Sequence, residues 1–221
     1  MNKQISFLLL ILFLVAPLPA YSKDNVVVVK LSGAINPAVA EYVSYEISQA
    51  NAEKDSLIVL HMDTPGGLDT SMREIIKKIQ SSEVPVASFV APTGSRAASA
   101  GTFITMASHI AAMAPGTNIG AAHPINMLGG GNDNEQAKTM KKKVVNDAAA
   151  YIRSLAELRK RNAHWAELAV VNSVSISAQE AMKLNVIDLV AGDVKALVLA
   201  IDGREVQLAS GSVRLKIKNL K

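Results

Sequence analysis

Four stretches of this chain hold residue types that could break a peptide bond or another acyl bond. Residues 92–104, Pro-Thr-Gly-Ser-Arg-Ala-Ala-Ser-Ala-Gly-Thr-Phe-Ile, surround Ser99 with small side chains directly after the apolar run Val84 to Ala91. A helix starting near Ala97 puts the Ser99 hydroxyl in a first turn, where backbone N–H groups lack intrahelical partners and the helix dipole favours developing negative charge. That is a seat for a nucleophile; the plainer reading is a helix cap among small packing residues. Gly66 and Gly67, in Asp63-Thr64-Pro65-Gly66-Gly67, let a backbone N–H face outward with no side chain in the way, as an oxyanion hole requires. Either that or an ordinary tight turn after Pro65 accounts for the pair.

A serine nucleophile needs a base. His61 ends an apolar run, His109 follows Ser108, and His164 sits beside Trp165, so each reads as a packing or surface residue. His123 is better placed, in the small-residue loop Pro115 to Pro124, and with Pro124 it is a candidate for a substrate groove. No nearby pattern gives it an orienting acid. Asp63 could orient a histidine or simply brace its turn. A lysine serves as base when its surroundings favour the neutral amine. Lys138, Lys141, Lys142 and Lys143 form the candidate cluster. The apolar stripe Val144, Val145, Ala148, Ile152 and Leu155 points Lys141 toward a core and Lys143 away from it, and a base must face a cleft, so periodicity leaves the choice open. Metal and phosphate chemistry find no support: there is no His-Glu-x-x-His, the acids are scattered, and Gly129-Gly130-Gly131 lacks a following Lys-Ser/Thr. No cofactor is expected.

These groups need a scaffold. Asn25 to Leu31, Ser56 to Met62, Val84 to Ala91 and His109 to Ala114 read as buried strands; Pro37 to Ala50 and Thr70 to Ile79 show helical spacing between them. The alternation predicts a mostly parallel sheet covered by helices on both faces, with right-handed crossovers and function at the carboxyl ends of the strands. Met127 to Gln136 reads as a loop that lies over a substrate, followed by a long helix from about Ala137 to Leu158. Ala163 to Val171 and Ser177 to Leu184 are shorter helices, the second opened by a capping box, Ser177 to Glu180. Val186 to Val190 is a strand, Val194 to Leu199 a helix, and Glu205 to Lys218 a hairpin around Ala209-Ser210-Gly211.

Residues 1–22 have the anatomy of a secretory signal peptide: Lys3, the apolar run Phe7 to Ala16, then Ala20-Tyr21-Ser22. Residues 23–203 are expected to form one domain and 204–221 a hairpin tail. The 221 residues carry 23 basic and 19 acidic side chains mixed along the chain, for a net charge of +4, which does not point to nucleic acid. With no cysteine, disulfides, thiolate metal sites and a cysteine nucleophile are excluded.

Taken together, Asp63 to Gly67, Ala98-Ser99-Ala100-Gly101-Thr102, Met113 to Ala121 and Asp147 to Ala156 resemble the extracytoplasmic protease domain of NfeD-type membrane serine proteases. The resemblance runs in order from about residue 25 to 208. It implies an α/β fold of the ClpP/crotonase-like kind, a spiral of repeated ββα-type units, shared with Clp protease and signal peptide peptidase A. It implies a serine endopeptidase with a serine–lysine dyad and Ser99 as nucleophile. The family lysine precedes the Tyr151-Ile152-Arg153-Ser154-Leu155-Ala156 segment at a spacing that selects Lys143, with Lys138, Lys141 and Lys142 as the alternatives under a different loop alignment. The amides of Gly67 and Ala100, with Gly66, are the implied oxyanion hole. The implied substrates are apolar segments, notably the C-terminal region of stomatin- or prohibitin-like membrane proteins. The implied setting, for an exported chain, is the periplasm or the outer face of the cytoplasmic membrane, and the implied assembly a homodimer or larger homo-oligomer. Longer members continue into transmembrane helices and a small β-barrel.

Overall fold

The computed structural model describes residues 25–124, 135–217 and 219–220. The expected signal peptide and most of the Met127 to Gln136 loop lie outside these residues.

Strands β1 (Asn25–Ser32), β2 (Leu57–Asp63), β3 (Val86–Val90), β5 (Ile110–Met113), β8 (Leu189–Val190) and β11 (Asn219–Leu220) form one sheet in the order β11-β1-β2-β3-β5-β8. Every pair in it is parallel. Successive residues of a strand face opposite sides. Val29, Leu31, Ile58, Leu60, Met62 and Val90 therefore enter one core, while Val26, Leu57, Val59, Ala87, Phe89 and Ala112 enter another. Both faces are buried, which is why the strands read as unbroken apolar runs rather than alternations.

The first core is roofed by α1 (Pro37–Glu53), α2 (Asp69–Gln80), α3 (Ala100–Ala107), α4 (Glu135–Leu158), α5 (Ala163–Val171) and α6 (Ala178–Lys183). Helix α1 starts where Asn36 accepts the Val39 N–H and Pro37 takes the first turn, a position that needs no N–H donor. The Ser177–Glu180 capping box that opens α6 has both reciprocal bonds. The second core is closed by α7 (Val194–Ile201) and the antiparallel hairpin β9 (Glu205–Leu208) and β10 (Gly211–Arg214). Leu197, Ile201, Val206, Leu208 and Leu215 lie against Phe89 and Ala112 there.

One layer is absent from the sequence reading. Strands β4 (Arg96–Ala98), β6 (Asn118–Gly120) and β7 (Ser175–Ser177) form a second small sheet, with β4 parallel and β7 antiparallel to β6. Each has three residues, too few for a periodicity to register. This sheet sits beside the carboxyl end of β2, because Thr64 bridges Ala97.

Candidate active site

The turn after β2 is built around one hydroxyl. Thr64 is fully buried, and its Oγ1 donates to the Gly33 carbonyl at 2.7 Å while accepting the Gly66 N–H at 3.0 Å. Its backbone N–H donates to Arg96 and its carbonyl accepts from Ala98, so the turn is stitched to β4. Asp63 braces the same junction by accepting the Arg96 N–H at 3.1 Å, the turn-bracing role rather than the histidine-orienting one.

Next along the turn, Ile35 donates to the Gly66 carbonyl and accepts from the Leu68 N–H, the pattern of a parallel bridge centred on Gly67. The Gly67 N–H consequently points to the side away from Ile35. A Cβ on Gly67 would come within 2.0 Å of the Ile35 carbonyl oxygen, and one on Gly66 (φ +115°) within 2.5 Å of the Ser99 Cβ. Both positions therefore require glycine, the first to let a chain lie alongside and the second to let the serine lie alongside.

Ser99 itself stands between β4 and α3 at φ 52° and ψ −118°, a conformation that type II′ turns reserve for glycine. Three contacts hold it there. Its N–H donates to the Gly120 carbonyl at 3.0 Å and its own carbonyl accepts from Thr102 at 2.9 Å; the Thr102 hydroxyl lies 2.9 Å from the Ala97 and Gly120 carbonyl oxygens. Strain of this kind at an otherwise well-tied position is typical of functional turns. The side chain makes no cap bond to its helix, and Ser99 is half-buried rather than sealed. Ala100 is the first residue of α3, so its N–H belongs to the unpaired set at a helix start. The Gly66-Gly67 turn thus touches Ser99 through Gly66, and Ala100 follows the serine directly. Among them Gly66 is a packing neighbour whose N–H is already taken by Thr64.

The histidines have other employments. His61 stands edge-on to Phe89, a residue of the second core, with ring centroids 5.9 Å apart. His109 Nδ1 accepts the Val86 N–H at 3.1 Å, His123 Nδ1 lies 2.9 Å from the Val170 carbonyl, and His164 is exposed. His123 and Pro124 are both partly buried at the end of the loop that follows β6.

All four candidate lysines lie on α4, which is helical from Glu135, and all are exposed. The buried stripe of α4 is Ala148, Ala149, Ile152, Leu155 and Ala156, so Lys143 faces away from the core as the spacing indicates. A second row matters more. Lys143, Asp147 and Tyr151 follow one another at i, i+4 and i+8 and share a side of the helix. Asp147 accepts from Arg73 of α2 at 2.6 Å, and Tyr151 stacks on Phe103 of α3 at 6.0 Å. Lys143 therefore continues the row that meets the helices following the Gly66-Gly67 turn and Ser99. The roles of Thr64, Gly120 and Arg73 went unnoticed in the sequence; Thr64, inside the Asp63 to Gly67 motif, and Gly120, inside the Met113 to Ala121 motif, carried a signal, and Arg73 carried none.

The parallel sheet, its flanking helices and the serine turn define an α/β domain of the ClpP-like kind. Comparison narrows this further. The family described as NfeD1b, N-terminal domain, matches residues 25–205. Membrane-bound protease PH1510 of Pyrococcus horikoshii is 36% identical over 208 residues, covering 94% of this chain and 46% of that protein. Membrane protein NfeD1b of Bacillus subtilis is 31% identical over 127 residues, 58% of this chain and 28% of that one. The chain thus spans less than half the length of these relatives. Among solved structures, a lysine-to-alanine variant of the 1510-N membrane-bound stomatin-specific protease, in complex with a substrate peptide, superposes with a TM-score of 0.81 at 34% identity over 91% of both chains. A serine-to-alanine variant of that protease gives the same TM-score and identity, covering 91% of this chain and 97% of the other. The chain belongs to the NfeD1b N-terminal domain family.

Proposed function

We propose that this domain is a serine endopeptidase in which Ser99 is the nucleophile and Lys143 the general base. The observation that carries the reading is the Ser99 turn, a strained serine at a helix start packed against the Gly66-Gly67 turn. In the proposed reaction the neutral Lys143 amine takes the Ser99 proton as Oγ attacks a peptide carbonyl. The Gly67 and Ala100 N–H groups receive the oxyanion, and lysine returns the proton to the departing amine. Water, deprotonated by the same lysine, then attacks the acyl ester and frees Ser99. Each oxyanion donor contributes about 10²–10³ in rate in comparable enzymes, so the two amides matter as much as the dyad. Gly66 supports the geometry through close approach to Ser99.

The solved relatives include a stomatin-specific protease with a bound peptide, which supports an apolar segment of a stomatin-like membrane protein as substrate. His123 and Pro124 line the proposed groove. Among the described residues no helix is long and apolar enough to cross a membrane; export by residues 1–22, action at the outer membrane face and assembly into dimers or larger oligomers complete the proposal.

The exposure of all four lysines favours one competing reading, a binding module that holds apolar tails without cleaving them. A serine-directed acylating probe separates the two. Labelling is expected in the wild-type chain and lost in Ser99→Ala, and turnover of an apolar peptide is expected to disappear in Ser99→Ala and Lys143→Ala. Wild-type turnover in either variant overturns the assignment, and an active Lys143→Ala with an inactive Lys141→Ala moves the base to Lys141.

A further inference from the structure

Arg73 stands on α2, about a turn and a half beyond the Gly66-Gly67 turn, and reaches across to α4. Its Nε donates to Asp69 Oδ2 at 2.9 Å and one terminal nitrogen donates to Asp147 Oδ2 at 2.6 Å. Its guanidinium carbon lies 4.2 Å from the centre of the Tyr151 ring, and that ring stacks on Phe103 at an interplanar angle of 29°. Phe103 is one turn along the helix that Ser99 begins, Asp69 begins the helix that follows Gly67, and Asp147 is one turn beyond Lys143. The guanidinium thus ties the helix that follows the oxyanion turn to the helix that carries the lysine, and the Tyr151 ring it covers passes the contact on to Phe103 of the helix that Ser99 begins.

A planar cation suits this task. It satisfies two carboxylates in fixed directions and lies flat on an aromatic face, none of which an ammonium reproduces as a set. The anchor also acts on charge. On a bare helix Lys143 and Asp147, four residues apart, would pair with each other; with Asp147 engaged by Arg73, the lysine is left to the site. Near-attack geometry is unforgiving, a displacement of about 1 Å costing up to about 10²-fold in rate.

We propose that Arg73 is a positioning residue for the serine–lysine chemistry, locking α4, with Lys143, against the helix that follows the oxyanion turn and holding Tyr151 against the helix that follows Ser99. The proposal rests on the serine–lysine reading above. Its test is steady-state cleavage of an apolar peptide by the folded chain, with melting temperatures measured alongside. Arg73→Gln is expected to lower kcat by about 10- to 100-fold with KM within about twofold, the signature of lost alignment rather than lost binding. Arg73→Lys is expected to recover part of kcat. Asp147→Asn, at a side chain that is 71% exposed, is expected to lower kcat by a smaller factor. The double variant is expected to be no worse than Arg73→Gln alone, since both changes break one contact. Wild-type kcat in Asp147→Asn and Arg73→Gln, with Lys143→Ala inactive, overturns the clamp and leaves the dyad standing. Should Arg73→Gln fail to fold, wild-type kcat in Asp147→Asn alone overturns it. An active Lys143→Ala removes the dyad and the clamp together.

Discussion

At Gly66 a single hydrogen atom decides whether the serine can occupy its place. A methyl group there would sit 2.5 Å from the Ser99 Cβ and 3.0 Å from its Oγ, and the residue is at φ +115° besides. Neither neighbour is the far end of a flexible chain, so the backbone of one turn has to move. Gly66→Ala is therefore expected to cut peptide turnover by at least about 10²-fold, while the chain stays folded by circular dichroism; near-normal turnover would mean that the turn is not held against the serine. The Gly66-Gly67 pair was legible from its place after an apolar run. The division of labour inside it was not, because the hydroxyl that claims the Gly66 N–H belongs to Thr64, and a threonine before Pro-Gly reads as ordinary turn chemistry.

At the scale of elements, α3 is fixed at both ends. Ser99 and Gly120 hold its start. At the other end one terminal nitrogen of Arg161 donates to the Thr105, Met106 and Ser108 carbonyls at 3.0, 3.0 and 2.9 Å, satisfying groups a helix end leaves open. The Arg161 side chain is only 2% exposed and its charge is met by Asp188 at 2.7 Å. Asp188 also accepts the Ala111 N–H and pairs with Arg204. Removing the carboxylate strands a buried cation, so Asp188→Ala is expected to cost about 3–5 kcal/mol in urea unfolding; a loss under about 1 kcal/mol would show that the carbonyls alone suffice. In the sequence Arg161 is simply a residue just past the long helix expected to end at Leu158. Its partners are far along the chain, and a single sequence holds no trace of a pairing set by tertiary folding. Strands β1, β2, β3 and β5 were legible because burial on both sheet faces makes long apolar runs; β4, β6 and β7 were not, since three residues with one or two apolar members, such as Ile119 in β6, resemble any loop.

Across the whole molecule, the histidines and carboxylates displaced by folding act in one direction. Burial, reinforced by the charges of Arg159 and Arg161, holds His109 down at about 3, so its Nδ1 stays free to accept from Val86. Burial alone would raise Asp188, but Arg161 and the Ala111 N–H outweigh it and the carboxyl ends below its usual value. Hydrogen bonds from Ser177 lower Glu180 as well. The unfolded histidine takes up its proton near 6.5 while the folded one refuses it until about 3, so stability falls as pH drops through that interval. The two carboxylates contribute stability above their unfolded values and lose it as pH falls through their lowered folded ones. Melting temperature is expected to decline steadily on acidification from about pH 6.5. His109→Asn, which keeps an acceptor for Val86, is expected to flatten the upper part of that decline and leave the lower part. An unchanged profile would remove the histidine from the account.

The torsion stored at Ser99 has a bearing on how such domains change over generations. Glycine in that position would give up the hydroxyl and relax the backbone in one step. On the proposed reading, losing the chemistry would therefore make the chain sturdier, whereas regaining it would mean re-imposing a twist against the grain. With Ser99 as the proposed nucleophile, such a domain would pass from cutting to mere holding by a single easy change, and only a continuing need for cleavage would keep it from doing so.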